Sequence, residues 1–131
     1  MNVLRSTLAA ASLCAAACAH PGTPSPAPVA GRYELVSMDG RELPARSHGE
    51  AGYSVTNGSL ALVAPDSAEL ALTVHREGAA GLLMRRVPGR YRTAGDSLTV
   101  TLPDGEMRGR ADGALLTLRG KDGSVAVFRR Q

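Results

Sequence analysis

The chain has 131 residues, 44% hydrophobic and 21% charged, with 15 basic side chains against 12 acidic ones. That length provides for one folded domain, and 3% aromatics leaves little with which to stack nucleobases, which argues against nucleic acid as a partner. The two cysteines, Cys14 and Cys18, both lie near the amino terminus, so the folded part has no internal disulfide and depends on its core.

The first element is a leader. Met1–Arg5 carries the terminal amine and one arginine, and Ser6–Ala17 is an uncharged stretch of twelve residues. That is the length of a signal-peptide apolar region, and it falls short of the about 20 residues that span a bilayer. Two cleavage readings stay open. Ala15-Ala16-Ala17-Cys18 has the small residues of a lipoprotein box, which makes residues 1–17 the signal peptide and Cys18 a lipidated first residue. Ala17-Cys18-Ala19 satisfies the small-x-small rule of ordinary cleavage, which starts a soluble periplasmic or secreted chain at His20. The residues after the cysteine favour lipidation. Residues 19–30, "AHPGTPSPAPVA", hold four prolines, and such chain is a semi-rigid spacer of roughly 35 Å. Residues 18–30 are therefore read as a lipidated cysteine and its tether.

Residues 31–131 form the domain. Its apolar residues recur with period two: Leu60 and Leu62; Leu70, Leu72 and Val74; Leu98, Val100 and Leu102; Val125 and Val127 against Ala126 and Phe128. Alternation of this kind marks half-buried strands. Strands are expected at 32–38, 51–56, 59–64, 68–76, 82–87, 90–94, 97–102, 106–111, 114–119 and 124–129. Pro88-Gly89 can instead be a bulge inside one long strand. Asp39-Gly40, Asn57-Gly58, Gly95-Asp96, Asp104-Gly105, Asp112-Gly113 and Asp122-Gly123 read as tight turns, since these residues accept the positive φ that hairpins require. Connections so short join antiparallel neighbours. The fold class is all-β, an up-and-down meander of eight to ten strands closing into a small barrel, with a β-sandwich as the alternative. Leu, Val and Ala, rather than large aromatics, are expected to face inward.

"GRYELVSMDGRELP" (31–44), "GRYRTAGDSLTVTLPDG" (89–105) and the closing "GSVAVFRR" (123–130) resemble small lipocalin-like lipoproteins of bacteria. The resemblance implies a lipocalin-like barrel, with Tyr33 near the place of the lipocalin tryptophan. Ala19 after Cys18 resembles the outer-membrane sorting class, which implies a lipid-anchored outer-membrane protein.

Signals for catalysis are sparse. His20, His48 and His75 have no metal-ligand spacing, His48 with Glu50 is a polar loop, and His75 is a solvent-facing strand residue. No Gly-x-Ser-x-Gly elbow is present. The expectation is no enzyme, no metal and no cofactor. Arg90 and Arg92 share one strand face, as do Arg108 and Arg110. These four arginines are the candidate contact with an anionic surface, set against a solvated wall offset by Asp96, Asp104 and Glu106. The expected function is structural or interactive, with an envelope protein as partner. The alternative is a module that binds a small apolar ligand such as a fatty-acyl chain.

Overall fold

The computed structural model describes residues 28–47 and 50–131. The leader, Cys18, the tether up to residue 27 and His48 lie outside the described residues. Ten strands run in chain order: β1 (Gly31–Met38), β2 (Arg41–Glu42), β3 (Ala45–Arg46), β4 (Tyr53–Val63), β5 (Ser67–Arg76), β6 (Leu83–Ala94), β7 (Ser97–Leu102), β8 (Gly105–Asp112), β9 (Leu115–Gly120) and β10 (Val125–Arg130). No helix occurs among the described residues.

The eight long strands close into an antiparallel up-and-down barrel. From β4 to β10 each pairs with its neighbour in sequence, and β1 pairs with both β10 and β4. That double pairing of β1 is what a two-sheet sandwich lacks. Closure leaves the main strands few edges, which is the physical advantage of a barrel for a chain of short hairpins.

One expected turn is strand interior. The segments at 51–56 and 59–64 are one strand, β4, and Asn57-Gly58 sits at a bulge where the register to β5 shifts between Val55 and Asn57. A Cβ on Gly58 would lie 2.8 Å from a Leu35 methyl and 3.0 Å from a Leu72 methyl. Glycine is needed there for close approach. The segments at 82–87 and 90–94 are likewise one strand, β6, and its register to β5 runs unbroken through Pro88 and Gly89. Pairing with β7 begins only at Arg90, so Pro88 sits where the strand has a single neighbour and its missing N–H costs no ladder bond.

The rims differ. The upper rim carries the β1–β2 turn, the β5–β6 turn and the turns at residues 103–104 and 121–124; the lower rim carries the turns at 64–66, 95–96 and 113–114 with both ends of the domain. Near the upper rim β1 and β4 part. Their pairing covers only Gly31–Glu34 against Ser59–Leu62, and the segment 39–47 fills the split, with β2 on β1 and β3 on β4. Ala45 is buried there and Leu43 packs on the core. Asp39 ties this corner to β10: its N–H donates to the Val125 carbonyl at 2.7 Å, and its Oδ1 accepts from the Val125 N–H at 2.8 Å.

The core fills the barrel. Phe128, Leu60, Leu98, Leu116, Leu118, Val55 and Val100 are its largest fully buried side chains, each contributing about 1.5–3 kcal/mol through burial. The expectation of an interior without large aromatics is corrected: Phe128, Tyr33 and Tyr91 all belong to the core. In β10, Ala126 and Phe128 point inward, and Val125 and Val127 are half-buried on the other face. The larger ring takes the interior because it removes more apolar area from water.

Candidate functional site

Residues 28–30 are strapped to the lower rim of the barrel. Arg130, next to last in the chain, donates from Nη1 to the Pro28 carbonyl at 2.9 Å and from Nη2 to the Ala30 carbonyl at 2.8 Å. The Tyr33 hydroxyl donates to the Val29 carbonyl at 2.5 Å, and Val29 packs against the core. The Arg130 guanidinium lies 5.7 Å from the Tyr33 ring centroid. Burial raises the Tyr33 pKa above the ordinary phenol value; Arg130 pulls the other way, and Tyr91 adds to the rise. Gln131 closes the seam, its N–H donating to the Arg32 carbonyl at 2.9 Å.

The four arginines singled out in the sequence all lie on the outer wall, exposed, but the structure divides them. Arg90 pairs with Asp66 at 2.8 Å and Arg110 with Asp96 at 2.6 Å, both acids coming from lower-rim turns. Arg108 pairs with Glu106 at 2.7 Å. Arg92 makes no ion pair with any described residue. The ladder brings Arg92 and Arg108 to the same level, with Thr99 of β7 between them.

Two further cations join that level, and sequence reasoning missed both. Arg119 of β9 stands directly opposite Arg108, and Lys121 comes just above it in the turn. The Asp112-Gly113 hairpin held the signal: Asp112 pairs with Leu115, and counting back from that turn sets Arg108 against Arg119. Glu106, Arg108, Gly109, Arg119, Gly120 and Lys121 line an open groove of ≈ 580 Å³ on this wall. The Glu106 carboxyl lies below its ordinary pKa. Its hydrogen bond from Arg108 is the main cause, the charges of Arg108, Arg92 and Lys121 add to it, and desolvation opposes them.

The other polar candidates are engaged structurally. Glu50 is held by Arg85 at 3.3 Å, and Arg85 also lies over the Tyr53 ring, 5.4 Å from its centroid. His75 Nε2 is 3.1 Å from the Ala79 carbonyl, which makes it a clasp on the β5–β6 turn. Among the described residues no group of three or more His, Cys, Asp or Glu side chains is placed to hold a metal ion, and no helix is long and apolar enough to cross a membrane. Leu82, Leu83 and Met84, consecutive at the upper rim, stand 61%, 53% and 67% exposed.

No protein-family model matches this chain, and no curated protein or solved structure matches it either.

Proposed function

We propose that this protein is an exported lipoprotein, anchored in the outer membrane through Cys18, whose small barrel has a structural or interaction role in the cell envelope. The leader, the lipoprotein-type cleavage sequence and the proline-rich tether support the address. The barrel's contents support the role. One observation carries it: the interior is occupied by the chain's own Phe, Leu, Val and Tyr side chains, and no polar or charged side chain is buried among the described residues. A ligand site is concave and carries a few convergent polar groups that orient its occupant; here no polar side chain is buried among the described residues, and the apolar ones pack on each other.

The strap at Arg130 suits the anchored reading. Pro28–Ala30 are fixed to the lower rim, at the opposite end of the barrel from Leu82, Leu83 and Met84. An exposed apolar cluster at the far end is where an envelope protein would dock. The alternative, a module for a small apolar ligand such as a fatty-acyl chain, rests on the half-buried Leu70, Leu72, Leu102 and Met107 around the core.

Native mass spectrometry on protein gently extracted from membranes separates the two. A barrel carrying nothing beyond its Cys18 acyl chains is the expected result. A stoichiometric co-purifying lipid would replace the structural role with ligand binding.

A further inference from the structure

We propose that the groove between β8 and β9 binds phosphate groups of a multiply charged anionic ligand, held by Arg108, Arg119, Lys121 and Arg92. The inference stands on the wall of the barrel and does not require the anchor at Cys18.

Three observations carry it. First, cations are concentrated on one level of the wall. Arg108 and Arg119 are direct partners across adjacent strands, which puts their Cα atoms about 4.5–5.5 Å apart. Arg92 is at the same level two strands away, about 10 Å along the sheet. Like charges directly opposite each other destabilise a sheet, and a shared anion removes that repulsion.

Second, the local acid does not balance them. Glu106 is the one carboxylate lining the groove, and its lowered pKa records the pull of Arg108, Arg92 and Lys121 together. Asp122 sits in the turn above it, its Oδ1 accepting from the Ser124 N–H at 3.0 Å and from the Ser124 hydroxyl at 2.6 Å. Asp104, in the neighbouring turn, does not line the groove. By contrast Arg90 and Arg110, on the same wall, each have an acid of their own.

Third, the groove is open to solvent, with the exposed Arg108 and Arg119 side chains among its walls. Guanidinium forks present paired N–H donors that match the oxygens of a phosphate.

The test is an NMR titration of the isotope-labelled protein with sodium pyrophosphate at low ionic strength. Shifts are expected at residues 106–109 and 119–121, with binding weakened by added sodium chloride. The double variant Arg108→Gln/Arg119→Gln should bind at least about tenfold more weakly. The charge-matched double variant Arg90→Gln/Arg110→Gln should stay within about twofold of wild type. Glu106→Gln should tighten binding about threefold, since it removes the competing carboxylate. Sedimentation with phosphatidylcholine vesicles, with and without phosphatidylglycerol, then assigns the source. Loss of phosphatidylglycerol-dependent sedimentation in Arg108→Gln/Arg119→Gln points to a lipid headgroup; pyrophosphate binding without it points to a soluble phosphate ligand. Equal weakening by the two double variants, or no pyrophosphate shifts at residues 106–121, would overturn the proposal.

Discussion

The guanidinium of Arg130 lies over the ring of Tyr33, 5.7 Å from its centroid, where the chain enters the barrel. The two side chains bond three successive carbonyls, those of Pro28, Val29 and Ala30. The last strand thereby holds the segment that leads into the first, and Val29 seals the lower end of the core.

Arg130→Ala is therefore expected to destabilise the domain by about 1–2 kcal/mol, from two charge-assisted bonds and a cation–π contact. For a domain of this size that lowers the thermal midpoint by roughly 5–15 °C. Tyr33→Phe, which removes only the hydroxyl, should cost about 1 kcal/mol. Hydrogen exchange should quicken in both variants at residues 29–33 and stay unchanged at the upper rim. Unchanged exchange at the strap would show that the contact carries no stability.

Glycine substitutions should be graded by what they meet. A Cβ at Gly109 would run into the Thr117 carbonyl oxygen, which is backbone and has no room to give. At Gly58 it would meet the methyl ends of Leu35 and Leu72 instead. Gly109→Ala is expected to cost more than about 3 kcal/mol, and Gly58→Ala about 1–3 kcal/mol by overpacking. Urea denaturation of the two variants checks the order; a smaller loss for Gly109→Ala contradicts it.

Phe128→Ala should cost about 3–5 kcal/mol as a core cavity, whereas Leu82→Ser at the exposed upper rim should stay within about 0.5 kcal/mol of wild type. Equilibrium unfolding of Phe128→Ala tests which face of β10 is the inner one, with Leu82→Ser as the exposed-surface control. A mild Phe128→Ala variant would place the ring outside.

These contrasts mark where the sequence was legible. Six of the eight long strands and most hairpins could be read because positive φ restricts tight turns to residues such as Asp112-Gly113 and Asp122-Gly123, and because Leu98, Val100 and Leu102 alternate cleanly with polar neighbours; β4 and β6 were each expected as two segments. Asn57-Gly58 misled, since the glycine that opens a turn also admits Leu35 and Leu72 against a bent strand. In β10 both faces are apolar, so alternation alone did not choose Phe128 over the valines. β2 and β3 have two residues each, too few to show any period. The arginine stripe was half legible. The shared face was visible, but pairing of Arg90 and Arg110 with Asp66 and Asp96 depends on turns that bring distant acids beside them. Arg119 needed the strand register.

Glu106 supplies a pH signature. Its folded-state pKa is depressed, chiefly by the Arg108 hydrogen bond. The stability it contributes is therefore present above the unfolded glutamate pKa and lost as pH falls through the lower folded value. Side-chain carboxyl NMR should show Glu106 titrating below its ordinary value of 4.5, and Arg108→Gln should raise that midpoint. Arg90→Gln should leave it in place. A midpoint indifferent to Arg108 would mean that the ion pair is not formed in solution.

The proposed anchoring of the barrel requires acylation of Cys18. Cells grown with labelled palmitate should yield labelled wild-type protein in the membrane fraction, and an unlabelled Cys18→Ser variant that leaves that fraction. The intact mass of the wild type should correspond to a chain that begins at an acylated Cys18. An unlabelled wild-type chain that begins at His20 would contradict the account and make the protein an ordinary secreted barrel.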